Sequence, residues 1–150
     1  METLFEMTNY RYHFDRMEPR SDMIFVFGGN LAGRHGKGSA LYAKQHCGAI
    51  YGVGVGLQGR SYSIPTKDHQ LRILDIDNIV PHILAFKNFA FSRPDLEFFV
   101  TRIGCGLAGY QDQDIAPWFY GSPLNCVFPV GWELYLSNQR LQELWSSYYS

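Results

Sequence analysis

The sequence predicts an α/β fold with a mostly parallel central sheet, and three observations carry that prediction. Residues 23–27 and the run that begins at Phe98 are apolar, β-branched and aromatic, which reads as buried strand. Each run breaks into closely spaced glycines and then feeds a stretch with helix-start signals, so the unit of strand, glycine turn and helix occurs twice. Along the rest of the chain, strand-like and helix-like segments alternate, the pattern that lays helices over a parallel sheet.

Composition bounds the answer. The 150 residues make one domain, 1–150, with residues 1–20 as an N-terminal arm or an extra strand. With 46% hydrophobic and 16% aromatic residues the chain can bury a core, and at 18% charged it is no disordered tail. A net charge of -1 supplies no broad positive field, which argues against bulk nucleic-acid binding yet leaves room for a small anion in a local pocket. Cys47, Cys105 and Cys126 are odd in number and form no CxxC pair, as expected of free thiols in a reducing compartment. No Cys/His spacing predicts a metal site and no motif predicts a cofactor. Residues 1–15 lack an apolar signal-peptide core, and no apolar run is long enough to cross a bilayer. The expectation is a cytoplasmic protein without a membrane partner.

In chain order, residues 23–27 form a central strand that ends at Gly28-Gly-Asn30. A glycine-dense loop, 28–38, carries Asn30, Arg34, His35 and Lys37. The helix after it holds Ala40, Leu41, Ala43 and Lys44 and stops at Gly48. Glycine is costly in chain entropy, so its density in this loop points to backbone that must approach something closely. Residues 49–59 read as an irregular strand or hairpin approach, and residues 61–64 as a short strand ended by Pro65-Thr-Lys-Asp68. Lys67 then lies just past a strand's carboxyl end, where open α/β sheets line their ligand crevice. Residues 75–90 form a helix with a stripe of Ile76, Ile79, Val80, Ile83, Leu84 and Phe86. Residues 92–95 are a turn. The Phe98 strand runs into Gly104, Gly106 and Gly109, and a helix begins near Asp112. A glycine turn feeding a helix can hold phosphate, because backbone N–H groups approach the anion and the helix N-terminus favours negative charge. It can equally be a tight connection with no ligand. Residues 125–129 are a last strand, and Ser137 caps a final helix packed through Leu141, Leu144 and Trp145.

Three of these pieces resemble one family. Gly36-Lys-Gly38 followed by Ala40-Leu-Tyr-Ala-Lys44 resembles the glycine loop and first long helix of macro domains. Arg102-Ile-Gly-Cys-Gly-Leu-Ala-Gly-Tyr110 is similar to the second phosphate loop of one macro-domain branch, the terminal ADP-ribose protein glycohydrolases and the antitoxin-type enzymes that remove ADP-ribose from nucleic acid. Ile64-Pro-Thr-Lys67 looks like the strand end where that branch carries a functional lysine. The resemblance spans roughly residues 24–128.

It implies a three-layer α/β/α sandwich with a mixed, mostly parallel sheet. It also implies a cleft for ADP-ribose or a related NAD-derived nucleotide, free or attached to a macromolecule. Gly104, Cys105, Gly106, Leu107, Ala108 and Gly109 would hold the pyrophosphate through backbone N–H groups, and Tyr110 would stack on the distal ribose or the adenine. Asn30, Gly33, Gly36 and Gly38 would wrap the distal ribose, with Thr66 beside Lys67. Asp22 is the acid nearest the position that reads adenine. Lys67 is the candidate nucleophile or electrostatic partner. The branch usually carries an acid after Cys-Gly-Leu, where this chain has Ala108. Asp112, or else Asp68 or Asp114, would then move the protons. His35 is either a further acid/base, its pKa being near working pH, or a loop histidine bonded to backbone or phosphate. Two functions follow: cleavage of an ADP-ribosyl bond, or capture of an ADP-ribose-type signalling nucleotide without turnover.

Overall fold

The structure is a computed structural model and describes residues 10–137. Six strands form one sheet in the order β1-β6-β5-β2-β4-β3. They are β1 (Arg11–His13), β2 (Ile24–Asn30), β3 (Gly56–Gln58), β4 (Ser61–Lys67), β5 (Phe98–Val100) and β6 (Cys126–Pro129). β3 runs antiparallel to β4, and every other pairing is parallel. The fold is therefore α/β with a mixed, mostly parallel sheet. Residues 11–13 take the extra-strand option for the N-terminal segment.

Strand β2 sits between β4 and β5 and alternates its side chains between two cores. Ile24 and Val26 join Ile64, Phe98 and Val100 with Ile79, Ile83, Phe86 and Ala90 of helix α2 (Ile76–Ser92). Phe25 and Phe27 join Met23, Phe99 and Val127 with Ala40 and Ala43 of helix α1 (Gly38–His46). The two helices thus cover different sets of strand side chains. Phe27, Phe86 and Ile83 are fully buried, each removing apolar area worth about 2 kcal/mol from water.

Several boundaries differ from the sequence expectation, for identifiable reasons. β2 continues through Gly28, Gly29 and Asn30, because these residues still pair with β4. A Cβ on Gly29 would lie 2.3 Å from the Ser63 hydroxyl, so only glycine keeps the two strands this close. β4 continues through Pro65 to Lys67; β3 stops pairing at Ser63, and Pro65 lies where that neighbour has already ended. The helix expected from Asp112 is one α turn, α3 (Asp112–Ile115), which passes into a 3-10 turn, Ala116–Phe119, at Pro117. Ser137 does not cap its helix. Helical residues 133–137 already follow the 3-10 turn Val130–Trp132, and the Ser137 hydroxyl pairs with Tyr12 Oη at 2.8 Å. Leu141, Leu144 and Trp145 lie outside the described residues. In α2, Leu84 is exposed, and the buried stripe is Ile79, Ile83, Phe86 and Ala90. Among the described residues no helix is long and apolar enough to cross a membrane.

Candidate functional site: a cationic cleft at the carboxyl ends of the strands

After β2 the chain turns one way, through α1 to β3 and β4; later it returns through α2 to β5 on the other side. Such a switch of direction leaves a crevice beyond the carboxyl ends of the strands. A cleft of about 690 Å³ lies there, the size of a small-molecule site. Gly28 and Gly29 of β2 form its floor. Thr66, Lys67 and Leu71 rise from the β4 side, residues 101–102 and 104–108 from the β5 side, and residues 36–40 bring in the start of α1.

The two glycine segments meet across this cleft. A Cβ on Gly38 would lie 3.5 Å from Leu107 Cδ1, and one on Gly28 would lie 3.4 Å from the Gly104 nitrogen. Of the residues read from the sequence, Asn30, Gly36, Gly38, Thr66, Lys67, Gly104, Cys105, Gly106, Leu107 and Ala108 line this one space. The start of α1 has no side-chain cap, so its first-turn N–H groups are open to an anion. In the second loop the turn closes through Cys105 N–H to Arg102 O (3.1 Å), Gly109 N–H to Gly106 O (3.0 Å) and Tyr110 N–H to Gly104 O (2.8 Å). The amides of Gly106, Leu107 and Ala108 donate to no described residue.

The charge lining the cleft has one sign. Arg34, Lys37, Lys67 and Arg102 are present and no carboxylate is. Arg102 is matched, donating Nε and Nη2 to the two Asp112 oxygens at 2.9 Å each. The side chains of Arg34, Lys37 and Lys67 have no ion-pair partner among the described residues.

The other residues read as functional do different work. Asn30 lines the cleft, but its amide is committed to the loop, donating to Arg34 O at 2.8 Å and accepting from Arg34 N–H at 2.9 Å. Gly33 is held against backbone, where a Cβ would come within 2.4 Å of Gly52 and Val53, and it does not line the cleft. His35 is 1% exposed and is also absent from the lining. Its Nε2 sits 3.0 Å from Ile50 O and 3.1 Å from Gln58 Oε1, so it ties the loop to the hairpin that precedes β4. Both contacts are acceptors, Gln58 Oε1 itself accepting from Ile50 N–H, so Nε2 carries the proton. Gly109 and Tyr110 do not line the cleft. The Tyr110 hydroxyl is committed elsewhere, donating to Leu74 O. Asp22 precedes β2 and pairs with Arg20 at 3.2 Å, at the opposite end of a seven-residue strand, roughly 20 Å away at the usual rise.

None of the three candidate acids lines the cleft. Burial pushes the Asp112 carboxyl up, but hydrogen bonds from Arg102 and Trp132 outweigh it and hold the group below its ordinary value. The Arg72 amide, with help from the Gln70 amide and the Arg72 guanidinium, holds Asp68 low as well. Asp114 accepts the Gln111 N–H at 3.0 Å. Cys105 reaches the cleft as a thiol, because burial and then the Asp112 charge push its pKa up to about 12.

Gly28, Gly29, Ser39, Ala40, Leu71, Thr101 and Arg102 also line the cleft and were not singled out as site residues from sequence. Strand-end position would have found Gly28, Thr101 and Arg102. Nothing local marks Leu71. Compared with models of known families, with curated proteins and with solved structures, the chain finds no match.

Proposed function

We propose that this protein binds ADP-ribose or a related NAD-derived nucleotide diphosphate and holds it without turnover, as a reader or sponge. The observation that carries the reading is the meeting of the two glycine segments in one cleft whose charged lining residues are all cations. A diphosphate presents acceptor oxygens only. The open amides of Gly106, Leu107 and Ala108 and of the first turn of α1 are donors at the right place for it. Arg34, Lys37 and Lys67 supply the compensating charge. The helices α1 and α2, which cover different side-chain sets of the sheet, support a three-layer α/β/α sandwich of the macro-domain kind.

Binding without turnover is favoured because cleavage of a glycosidic bond needs a group that moves a proton beside the anomeric carbon. Asp68, Asp112 and Asp114 are each engaged elsewhere, His35 is sealed in the loop, and Cys105 is protonated. One observation favours a second reading, hydrolysis of an ADP-ribosyl bond: Lys67 lines the cleft, and its side chain has no ion-pair partner among the described residues.

Calorimetry with ADP-ribose is expected to give saturable heat at one site per chain. Incubation with ADP-ribosylated protein and DNA, followed by mass spectrometry, is expected to return both unchanged. Released ADP-ribose that disappears with Lys67→Ala would establish the second reading instead, and absence of binding would end both.

A further inference from the structure

Leu71 occupies a position that its residue type disfavours. Its φ is +65°, in the left-handed region that glycine adopts freely and a γ-branched residue enters at a cost. The turn that imposes this is over-determined. Asp68 N–H donates to Arg72 O at 2.8 Å, and Leu71 N–H donates to Asp68 O at 3.1 Å. Asp68 Oδ1 accepts the amides of Gln70 and Arg72, each at 2.9 Å, and Oδ2 accepts Arg72 Nε at 3.1 Å. Lys67 and Ile73 close the base of the turn as a bridge. All of this bonding presents a leucine side chain, 39% exposed, to the wall of a cationic cleft. On the other flank of β2 the lining includes Leu107, 62% exposed, in the second glycine loop. Backbone strain kept in place by such bonding collects at ligand clamps.

We propose that Leu71 and Leu107 form an apolar clamp that selects a diphosphate bearing a nucleoside over the bare anion, by packing on the ligand's sugar and base. This rests on the diphosphate reading of the cleft given above. The clamp arises from topology: β4 and β5 flank β2 on either side, so the loops that follow them rise as opposite walls over the Gly28–Gly29 floor. The amides and cations of the cleft hold charge. The two leucines offer nothing to a phosphate and everything to an apolar face. A cleft of about 690 Å³ also leaves room beyond a diphosphate for such a group.

The test compares wild type with Leu71→Gly by calorimetry against two probes, ADP-ribose and inorganic pyrophosphate. Glycine suits the turn, so the variant should fold with an unchanged or raised Tm. Losing one leucine's packing should weaken ADP-ribose by about tenfold and leave pyrophosphate unchanged. Equal affinity of the variant and wild type for ADP-ribose would overturn the clamp while leaving the diphosphate site intact. Equal weakening for both probes would also overturn it, since Leu71 would then act by shaping the anion site. A wild type that binds neither probe would remove the diphosphate reading and the clamp together.

Discussion

At the amino-terminal end of the sheet, Glu97 accepts from Arg11 at 2.9 Å and from Arg20 at 2.8 Å, and Arg20 reaches on to Asp22 at 3.2 Å. Arg60, also at that end, donates to the carbonyls of Ser21 and His46. At the carboxyl end, Arg34, Lys37 and Lys67 line a cleft without a carboxylate among its described lining residues, and the amides of Gly106, Leu107 and Ala108 donate to no described residue. The same sheet thus has one end whose cations are satisfied within the chain and one end that presents donors and positive charge outward. An end that only had to fold would resemble the first. The excess at the second is what the proposed diphosphate site rests on, and the contrast predicts where substitutions matter.

The largest effect should come from Gly106→Val. A Cβ at Gly106 meets nothing within 4 Å, so the variant should fold normally. A β-branched side chain over the amides should nevertheless weaken ADP-ribose by well over tenfold, the loss of charge-assisted hydrogen bonds worth about 1.5–3 kcal/mol. Calorimetry alongside thermal unfolding checks both halves; retained affinity would break the assignment of that turn to phosphate. Lys67→Ala comes next, with a loss of about tenfold and a shallower dependence of affinity on salt.

A smaller effect concerns acid. Asp112 and Asp68 have folded pKa values lowered from 3.8. Their contribution is complete above that ordinary value and is lost only as the pH falls through the lower folded values. Stability should therefore hold from neutral pH to near the ordinary carboxylate range and decline below it. Asp112→Asn should shrink that decline, as followed by Tm against pH. The smallest effect should be at the other end of the sheet. Glu97→Gln, at an exposed network, should cost less than about 1 kcal/mol of stability and leave ligand affinity unchanged. If it moved affinity as much as Lys67→Ala, the contrast between the two ends would dissolve.

Much of this was legible in the sequence because it depends on local rules. The apolar runs at Ile24 and Phe98 and the stripe through Ile79, Ile83 and Phe86 declared the α/β sheet and its longest helix. The glycines of both loops announced close backbone approach, and the two loops do meet. What stayed hidden depends on long-range partners. His35 reads as either an acid/base or a loop histidine until its Nε2–H is seen to donate to Ile50 O and to Gln58, 23 residues on. Asn30 reads as a ligand contact until Arg34 uses both ends of its amide. Asp112 reads as a free acid until Trp132 and Arg102 engage it. Tyr110 reads as a stacking ring until Leu74 anchors its hydroxyl. Leu71 gives no sign at all, since its strained conformation is imposed by the bonds of Asp68.

The most direct test of the cleft is amide NMR during titration with ADP-ribose. The N–H signals of Gly106, Leu107 and Ala108, together with those of Gly38, Ser39 and Ala40, should shift together and saturate at one ligand per chain. Shifts centred on Arg20 and Glu97, or no shift in either glycine segment, would contradict the account.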